Sequence, residues 1–464
     1  MKKHIFLTFI LWLHLMSAVC SAGASLSIMG TKMTLKADSV PLQDLLKDAV
    51  AHGIKIKIDP DINPLITADF ADKDIQKAFE DLLKGYSHAF IWSQDSSGGQ
   101  KLSQIAIFRE GHMDQAGNIR SAFRRNLDVI KNPETGAYYV RNRLLITFSR
   151  PVSKNRIQRV LKKFNAKIIP VHRDMGIYAV TIRDAADIRP LLERLNREGI
   201  IAGAEPDYAY QAPETQRTIA ILENSPSDSQ TDLGQVADDS FSVAVLDTGL
   251  MAEYAGNDFI KGTFDALSPD SPISDDVGHG TQMALIASGQ VAPMGILPGG
   301  FANPVLSVRA FDDNGFTSNT LIMQSIEYAL ENGARVLSLS WGSETDSAFL
   351  KSAMNYAVSK GLVVVAAAGN SPTGTPVYPA AYEPVIAVSA LAPDGNTWDQ
   401  SNYGDFVDLS APGFASLPVG SKGEPGTYAG TSISTAYLAG KLAAFLREHP
   451  DAETISPDVL LNLK

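Results

Sequence analysis

The stretch Ser242-Val243-Ala244-Val245-Leu246-Asp247-Thr248-Gly249 decides the fold of the C-terminal half of the chain. Val243 to Leu246 form an unbroken apolar run, which is typical of a strand buried on both faces of a parallel sheet. Asp247 ends this run. Functional groups collect at the carboxyl ends of strands in α/β sheets, so Asp247 is a candidate functional residue.

Downstream of this strand, apolar strand patterns alternate with helical patterns. Strands are predicted over residues 305–310, 336–340, 362–368 and 385–391, and helices over 318–332 and 349–360. Such alternation predicts an α/β fold with a doubly wound, largely parallel sheet.

Two small-residue motifs follow the first strand. Gly278-His279-Gly280-Thr281 leads into an apolar segment, and Gly430-Thr431-Ser432 leads into the apolar, helical pattern of residues 437–446. A serine where a loop becomes a helix lies beside free backbone N–H groups and the positive end of the helix dipole. Each motif alone is more often structural, as a helix-start histidine or an N-cap, so both interpretations stay open here.

Composition narrows the function classes. The chain has 464 residues, a formal net charge of -11 and a pI of about 5.3. Its length predicts two to four domains, and its acidity argues against nucleic-acid binding. Cys20 is the single cysteine, so neither a disulfide nor a thiolate metal site is expected.

Residues 1–24 have the pattern of a secretory signal. Lys2 and Lys3 precede an apolar run over residues 5–19, and small residues follow it. The run is short for a membrane span, so we expect a cleaved signal peptide and no transmembrane anchor afterwards. The mature protein is therefore predicted to be exported, either periplasmic or secreted.

Residues 25–110, here the N-terminal module, form an α+β pattern with an approximate duplication. Helical spacing followed by an alternating strand occurs over residues 42–58 and again over 75–92. The first repeat resembles the short N-terminal domain of secretins and TonB-dependent receptors, which implies docking to an envelope protein. An unrelated α+β module is the alternative.

A polar connector is predicted over residues 111–141, and a second compact unit over 142–211, here the propeptide-like domain. Its predicted order is βαββαβ, with one helix at 157–164, as in a ferredoxin-like sandwich. Glu205-Pro206-Asp207-Tyr208 resembles the close of subtilisin-type propeptides. Residues 124–210 hold 17 Lys and Arg against 9 Asp and Glu, whereas 241–464, here the α/β domain, hold 9 against 23. Opposite charge favours docking of the two.

Residues 212–240 are rich in Ser, Asp, Gln, Thr and Pro and lack clear periodicity. We expect an exposed linker that contains the processing site.

The α/β domain resembles the subtilisin-like serine proteases, the subtilases, through four motifs in the family's order. These are the strand ending in Asp247-Thr248-Gly249, Gly278-His279-Gly280-Thr281, Ala366-Ala367-Ala368-Gly369-Asn370 and Gly430-Thr431-Ser432. The resemblance implies that Asp247, His279 and Ser432 form a catalytic triad, with Ser432 as nucleophile. It also implies an oxyanion hole made by the Asn370 side chain and the Ser432 backbone N–H.

The same resemblance implies the substrate-binding residues, namely Ser340, Trp341, Gly342, Ala367, Ala368, Gly369 and Val377. The first three would pair with an extended peptide or protein substrate. Because Val377 stands where broad-pocket members often have glycine, small or medium apolar residues are expected before the scissile bond. No cofactor is implied, and no metal site is expected because Ala292 stands where the family's calcium loop usually has a liganding Asn.

The chain departs from the family pattern at several positions, and three features, namely Ala436, Trp341 and the short C-terminal segment, leave a rival function open. Ala436 replaces a proline that follows the nucleophile, Gln282 and Leu285 replace the usual His and Gly, and the C-terminal segment is short. The sequence therefore predicts an exported serine endopeptidase made as a self-inhibited zymogen. The alternative is a catalytically weak or silent binding protein that uses the cleft and the N-terminal module for recognition.

Overall fold

The structure is a computed structural model that describes residues 24–29, 31–51, 54–59, 61–94, 100–109, 117–119, 126–148, 166–172, 175–182, 188–197, 201–213, 216–217, 241–269, 271–420 and 424–450. The chain divides into two compact units, Met1–Phe123 and Arg124–Lys464. Within the described ranges, no helix is long and apolar enough to cross a membrane.

The first unit contains a strand-helix-strand repeat that occurs twice. Its elements are β1 (Ala24–Met29), β2 (Lys32–Pro41), α1 (Leu42–Ala51), β3 (Lys55–Ile58), β4 (Leu65–Asp74), α2 (Ile75–Leu82), β5 (Ser87–Gln94), β6 (Gln100–Phe108) and β7 (Gly117–Ile119). One sheet has the order β1-β2-β4 and the other β5-β6-β3-β7. The two repeats, β2-α1-β3 and β4-α2-β5, correspond to the duplication that the sequence predicts.

Apolar residues at helical spacing explain why the two helices form. Leu45 and Leu46 of α1 and Ala78 and Phe79 of α2 are buried in one core. The Asp74 side chain accepts a hydrogen bond from the Lys77 N–H at 3.2 Å and so caps the start of α2.

The second unit begins with the propeptide-like domain. Its elements are β8 (Val129–Lys131), β9 (Tyr138–Phe148), β10 (Ala166–His172), β11 (Ile177–Ile182), α3 (Arg189–Asn196) and β12 (Ile201–Gln211). The strands form an antiparallel sheet in the order β10-β11-β9-β12, and β8 pairs with β9. The predicted helix at 157–164 lies outside the described residues.

Two short strands, β7 and β8, fall in the stretch that the sequence indicated as a polar connector. β8 folds back on β9 through a turn in which the Gly136 N–H donates to the Asn132 carbonyl at 2.9 Å. Gly136 has a φ of 74°, a conformation that glycine adopts without strain. β8 and the start of β9 therefore form a hairpin that the polar composition of this stretch did not indicate.

The α/β domain holds the remaining elements. They are β14 (Ser242–Asp247), β15 (Ile260–Asp265), α4 (His279–Ala287), β16 (Val305–Arg309), β17 (Phe316–Ser318), α5 (Asn319–Glu331), β18 (Ala334–Leu339), α6 (Ala348–Ser359), β19 (Val363–Ala367), β20 (Val385–Leu391), β21 (Leu409–Pro412), β22 (Phe414–Leu417), β23 (Gly426–Ala429) and α7 (Thr431–Glu448). Seven strands form a parallel sheet in the order β15-β16-β14-β18-β19-β20-β21. The predicted α/β fold class is confirmed.

The central strand β14 explains the unbroken apolar run from which the fold was predicted. Ala244 and Leu246 pack on one face of the sheet, in a core that includes Ile322 of α5. Val243 and Val245 pack on the other face, against residues of α4 and α7. Because helices cover both faces, no position of this strand faces water.

Two pairings connect the earlier part of the second unit to the α/β domain. β12 pairs antiparallel with β17, with Ala209 opposite Ser318 and Gln211 opposite Phe316. A further strand, β13 (Gln216–Arg217), pairs antiparallel with β23 in a small sheet of order β13-β23-β22. β12 of the propeptide-like domain and β13 of the linker therefore each pair with a strand of the α/β domain.

Candidate active site

Asp247 and His279 lie in hydrogen-bonding contact in the interior of the α/β domain. Nδ1 of His279 is 2.7 Å from Oδ1 of Asp247, and both side chains are buried. Since a carboxylate accepts, Nδ1 carries the proton and Nε2 presents its lone pair. Among the described residues, Nε2 has no hydrogen-bond partner. This tautomer is the one that a general base requires.

Asp275 holds the loop that carries His279, and sequence reasoning missed it. Its Oδ1 accepts from the Thr248 hydroxyl and from the N–H groups of Val277 and Gly278, at 2.9, 3.2 and 2.7 Å. Its Oδ2 accepts from the Thr281 N–H and hydroxyl at 2.9 and 2.7 Å. One buried carboxylate thereby joins the end of β14 to the start of α4. Its place four residues before His279 was the only sequence signal.

The glycines around His279 are explained by backbone contacts. Gly278 has a φ of 91°, and a Cβ on it would lie 2.4 Å from the Gly420 carbonyl oxygen. A Cβ on Gly280 would lie 2.4 Å from the carbonyl oxygen of Gly249. The motif therefore lets α4 start directly against the end of β14, which brings the imidazole to Asp247.

Ser432 is the second residue of α7 and is 1% exposed. Its hydroxyl donates to the Ser340 carbonyl at 3.1 Å, and the Ser340 hydroxyl donates to the Ser432 carbonyl at 3.3 Å. In this structure, the Ser432 hydroxyl does not form a hydrogen bond with Nε2 of His279. Such contacts often tighten only when substrate binds.

Asn370 is oriented by the residue before Ser432. Its Oδ1 accepts from the Thr431 N–H and hydroxyl at 2.9 and 2.8 Å, which caps the start of α7. Because the carbonyl side of the amide is used in this way, the Nδ2 donor points away from Thr431. The amide orientation follows from the hydrogen-bond network. Asn370 thus presents a donor near the N–H groups at the start of α7.

The predicted substrate-binding residues meet at the ends of β18 and β19. Ser340 and Trp341 follow β18 directly and are buried. A Cβ on Gly342 would lie 2.4 Å from Val377 Cγ1, and one on Gly369 would lie 3.6 Å from Val377 Cγ2. Ala367, which ends β19, and Ala368 are also buried. Val377 therefore lies between the two strand ends that the sequence assigned to one pocket.

The tail of the propeptide-like domain covers this region. The Tyr210 ring stacks on Trp341, with centroids 5.6 Å apart, and the Tyr210 hydroxyl donates to Asn319 Oδ1 at 2.8 Å. The Ala212 N–H donates to the Gly315 carbonyl at 2.7 Å. The tail is therefore held as an extended strand along β17 and above Trp341.

Two carboxylates of this tail cap helices of the α/β domain. Glu205 accepts from the Ser347 hydroxyl and from the N–H groups of Ala348 and Phe349 at the start of α6. Asp207 accepts from the Thr320 N–H and hydroxyl near the start of α5. Burial raises the pKa of both carboxyls, while these hydrogen bonds oppose the rise. These hydrogen bonds join the tail to the starts of α5 and α6.

The family departures fall on well-packed positions. Ala436 is buried within α7, and the helix is continuous from Thr431 to Glu448. The Gln282 side chain donates to the Val419 carbonyl at 2.9 Å, and Leu285 packs in the core. Over the residues that the structure describes, no group of three or more His, Cys, Asp or Glu side chains has a metal-binding arrangement.

Comparisons with known proteins agree with this geometry. The model of the subtilase family (peptidase S8) matches residues 238–461, and the model of the fervidolysin N-terminal prodomain matches residues 126–207. The chain is 32% identical over 323 residues to the thermophilic serine proteinase of Bacillus sp. (strain AK1), covering 68% of this chain and 79% of that protein. It is 37% identical over 208 residues to thermitase of Thermoactinomyces vulgaris, covering 43% and 72%.

A solved structure shows a similar fold. Fervidolysin from Fervidobacterium pennivorans, a keratinolytic enzyme related to subtilisin, matches with a TM-score of 0.54 and 21% identity. The match covers 70% of this chain and 57% of the fervidolysin chain. The strand order, the Asp247 and His279 contact and these relatives lead to one conclusion: the chain belongs to the subtilase family of subtilisin-like serine endopeptidases.

Proposed function

We propose that this subtilase is an exported serine endopeptidase that is made as a self-inhibited zymogen. The observation that carries the proposal is the 2.7 Å hydrogen bond between His279 and Asp247, with Nε2 left as an acceptor. In this proposal Ser432 attacks the scissile carbonyl as His279 takes its proton. His279 then gives the proton to the leaving amine.

Asp247 keeps the imidazole in the required tautomer and stabilises its protonated form during the reaction. The oxyanion is held by Nδ2 of Asn370 and the backbone N–H of Ser432. The fixed orientation of the Asn370 amide supports this role, since its oxygen is already used by Thr431. In the related subtilisin, losing such a donor costs about 10²–10³-fold in rate.

The domain organisation follows from the same proposal. A signal peptide (residues 1–24) precedes the N-terminal module (25–110), a connector (111–141) and the propeptide-like domain (142–211). A linker with the processing site (212–240) leads to the protease (241–464). The match of residues 126–207 to a prodomain model and the tail above Trp341 support self-inhibition.

The N-terminal module is proposed to dock to an envelope protein, by its resemblance to secretin and TonB-dependent receptor domains. Affinity capture with the Ser432→Ala chain, compared with a chain that lacks residues 25–110, tests this role. Loss of a specific envelope protein in the shortened chain is the expected result, and equal capture contradicts it.

Labelling with a fluorophosphonate tests the chemistry directly. We expect Ser432 to be labelled in the processed chain, and labelling to be lost in His279→Ala and in Ser432→Ala. The full-length Ser432→Ala chain should also stay uncut. An unlabelled wild-type chain supports the silent binding protein, for which the hydrogen bond from Ser432 to Ser340 would be the resting arrangement.

A further inference from the structure

Two positions at the end of the tail, Ala212 and Gln216, are held by backbone contacts with the α/β domain. The Ala212 N–H is bonded to Gly315. Gln216 pairs with Ala429, three positions before Ser432. Four residue steps separate Ala212 from Gln216 and span at most about 14 Å. Ala212 and Gln216 are therefore within about 14 Å of each other, and Gln216 lies beside the strand that leads to Ser432.

The direction of the chain assigns the two sides of the cleft. In a substrate, the residues before the scissile bond form the acyl part and the residues after it form the leaving group. Along the chain, the tail pairs first with β17 and then with β23. β17 and Trp341 thus hold residues before the scissile bond, and β23 holds residues after it. β13 is accordingly a strand on the leaving-group side, seated in the chain's own cleft.

An ion pair marks one side-chain position on the leaving-group side. Arg217 lies opposite Tyr428, and its guanidinium is 2.7 Å from a carboxylate oxygen of Glu424. The guanidinium also contacts the Pro425 carbonyl at 3.4 Å. A Cβ on Gly426 would lie 3.2 Å from Arg217 Nε, so glycine leaves room for the long side chain.

The backbone around Glu424 is fixed by a buried residue. The Tyr428 hydroxyl donates to the Glu424 carbonyl at 2.8 Å, and Tyr428 is 1% exposed. Tyr428 belongs to β23, the strand on which β13 lies. The Glu424 backbone is therefore held beside β23, and its side chain extends to Arg217.

We propose that Glu424 is a specificity determinant on the leaving-group side. It favours Arg or Lys at the substrate position that corresponds to Arg217. This inference rests on the proposed proteolytic function. Both partners are exposed, at 59% for Arg217 and 65% for Glu424, so the preference is only about two- to fivefold.

The test uses the self-processed chain and quenched peptides that carry Gln at the four positions after the scissile bond. One Gln at a time is replaced by Arg, and the ratio of kcat/KM for the Arg and Gln peptides is measured. We expect one position with a ratio of about two to five. The ratio should fall to about one in Glu424→Gln and below one in Glu424→Lys.

Glu383→Gln is the matched control, because Glu383 is an exposed carboxylate just before β20. It should keep the wild-type ratio. Higher salt should lower that ratio. A ratio of one at all four positions, or an unchanged ratio in Glu424→Gln, overturns the inference about Glu424.

A chain that neither hydrolyses peptides nor labels at Ser432 contradicts the proposed function instead. Hydrolysis without an Arg preference contradicts only the inference about Glu424.

Discussion

Tyr210 lies on Trp341 with its ring inclined by 29°, so an aromatic residue of the tail covers the strand end beside Ser432. Both side chains are almost fully buried, and Phe311 contacts the indole in an edge-to-face arrangement. Buried aromatic pairs of this kind carry much of the free energy of an interface. Tyr210 is therefore expected to anchor the inhibitory tail.

Tyr210→Ala should weaken inhibition after self-cleavage by at least about 2 kcal/mol, or about 30-fold. The measurement is recovery of peptidase activity on dilution of the cleaved complex, which should occur at higher concentration than for wild type. Tyr210→Phe keeps the ring and loses the bond to Asn319, so its effect should be about 1 kcal/mol. Equal recovery in all three chains would show that Tyr210 is not the anchor.

The stability of the uncut Ser432→Ala chain should depend on pH through Glu205 and Asp207. Burial raises their pKa values above the ordinary 4.5 and 3.8 in the docked state. The docked state then holds protons more tightly than the undocked one, so docking is favoured at acid pH and weakens as pH rises through the raised values. The increase in Tm that docking provides should therefore become smaller as the pH rises through the raised pKa values.

Glu205→Gln should remove the part of this pH dependence that comes from Glu205, and Asp207→Asn the part that comes from Asp207. The check is the difference in Tm between each variant and the parent, measured from acid to neutral pH. A difference that does not change with pH would contradict the linkage.

Asp275→Asn should reduce kcat and stability together. The amide keeps one acceptor but turns a donor toward N–H and hydroxyl groups that also donate, so several of five hydrogen bonds are lost. We expect a loss of about 1–3 kcal/mol in the free energy of unfolding. As Asp275 positions His279, the pH profile of kcat should shift as well. A lower Tm with an unchanged pH profile would indicate a purely structural role.

Val377→Gly should enlarge the pocket between the ends of β18 and β19. Wild type is expected to prefer Ala or Leu before the scissile bond. In the variant, kcat/KM for the Phe peptide relative to the Ala peptide should rise about tenfold. A peptide panel that varies only this residue provides the measurement. Wild-type preference for Phe or Arg over Ala and Leu would contradict the assigned pocket.

Much of the site was predictable because local patterns encode it. Asp247 ends a strand whose apolar run required burial on both faces, and His279 and Ser432 begin helices after glycine turns. The role of Asp275 was not predictable, since it depends on Thr248 and Thr281 meeting across the loop. The orientation of Asn370 likewise depends on Thr431, which lies 61 positions away.

Some elements lacked a readable pattern. The strand Ile260–Asp265 was not predicted, because its sequence mixes lysine, glycine and threonine, and it is only partly buried at the edge of the sheet. The pairing of β13 with β23 could not be predicted, since two exposed residues carry no periodicity. Both elements owe their conformation to a neighbouring strand.

In the proposed zymogen, the pairing of β12 with β17 would link latency to catalysis. An inhibitor that adds a strand to β17 uses the same backbone donors and acceptors that an extended substrate needs. A change that strengthens the hold of this edge on peptide backbone must therefore lengthen the silent period before activity appears. A weaker edge would shorten that period and also bind substrates less well. In this proposal, the time of activation and the affinity for protein substrates both depend on the backbone of β17.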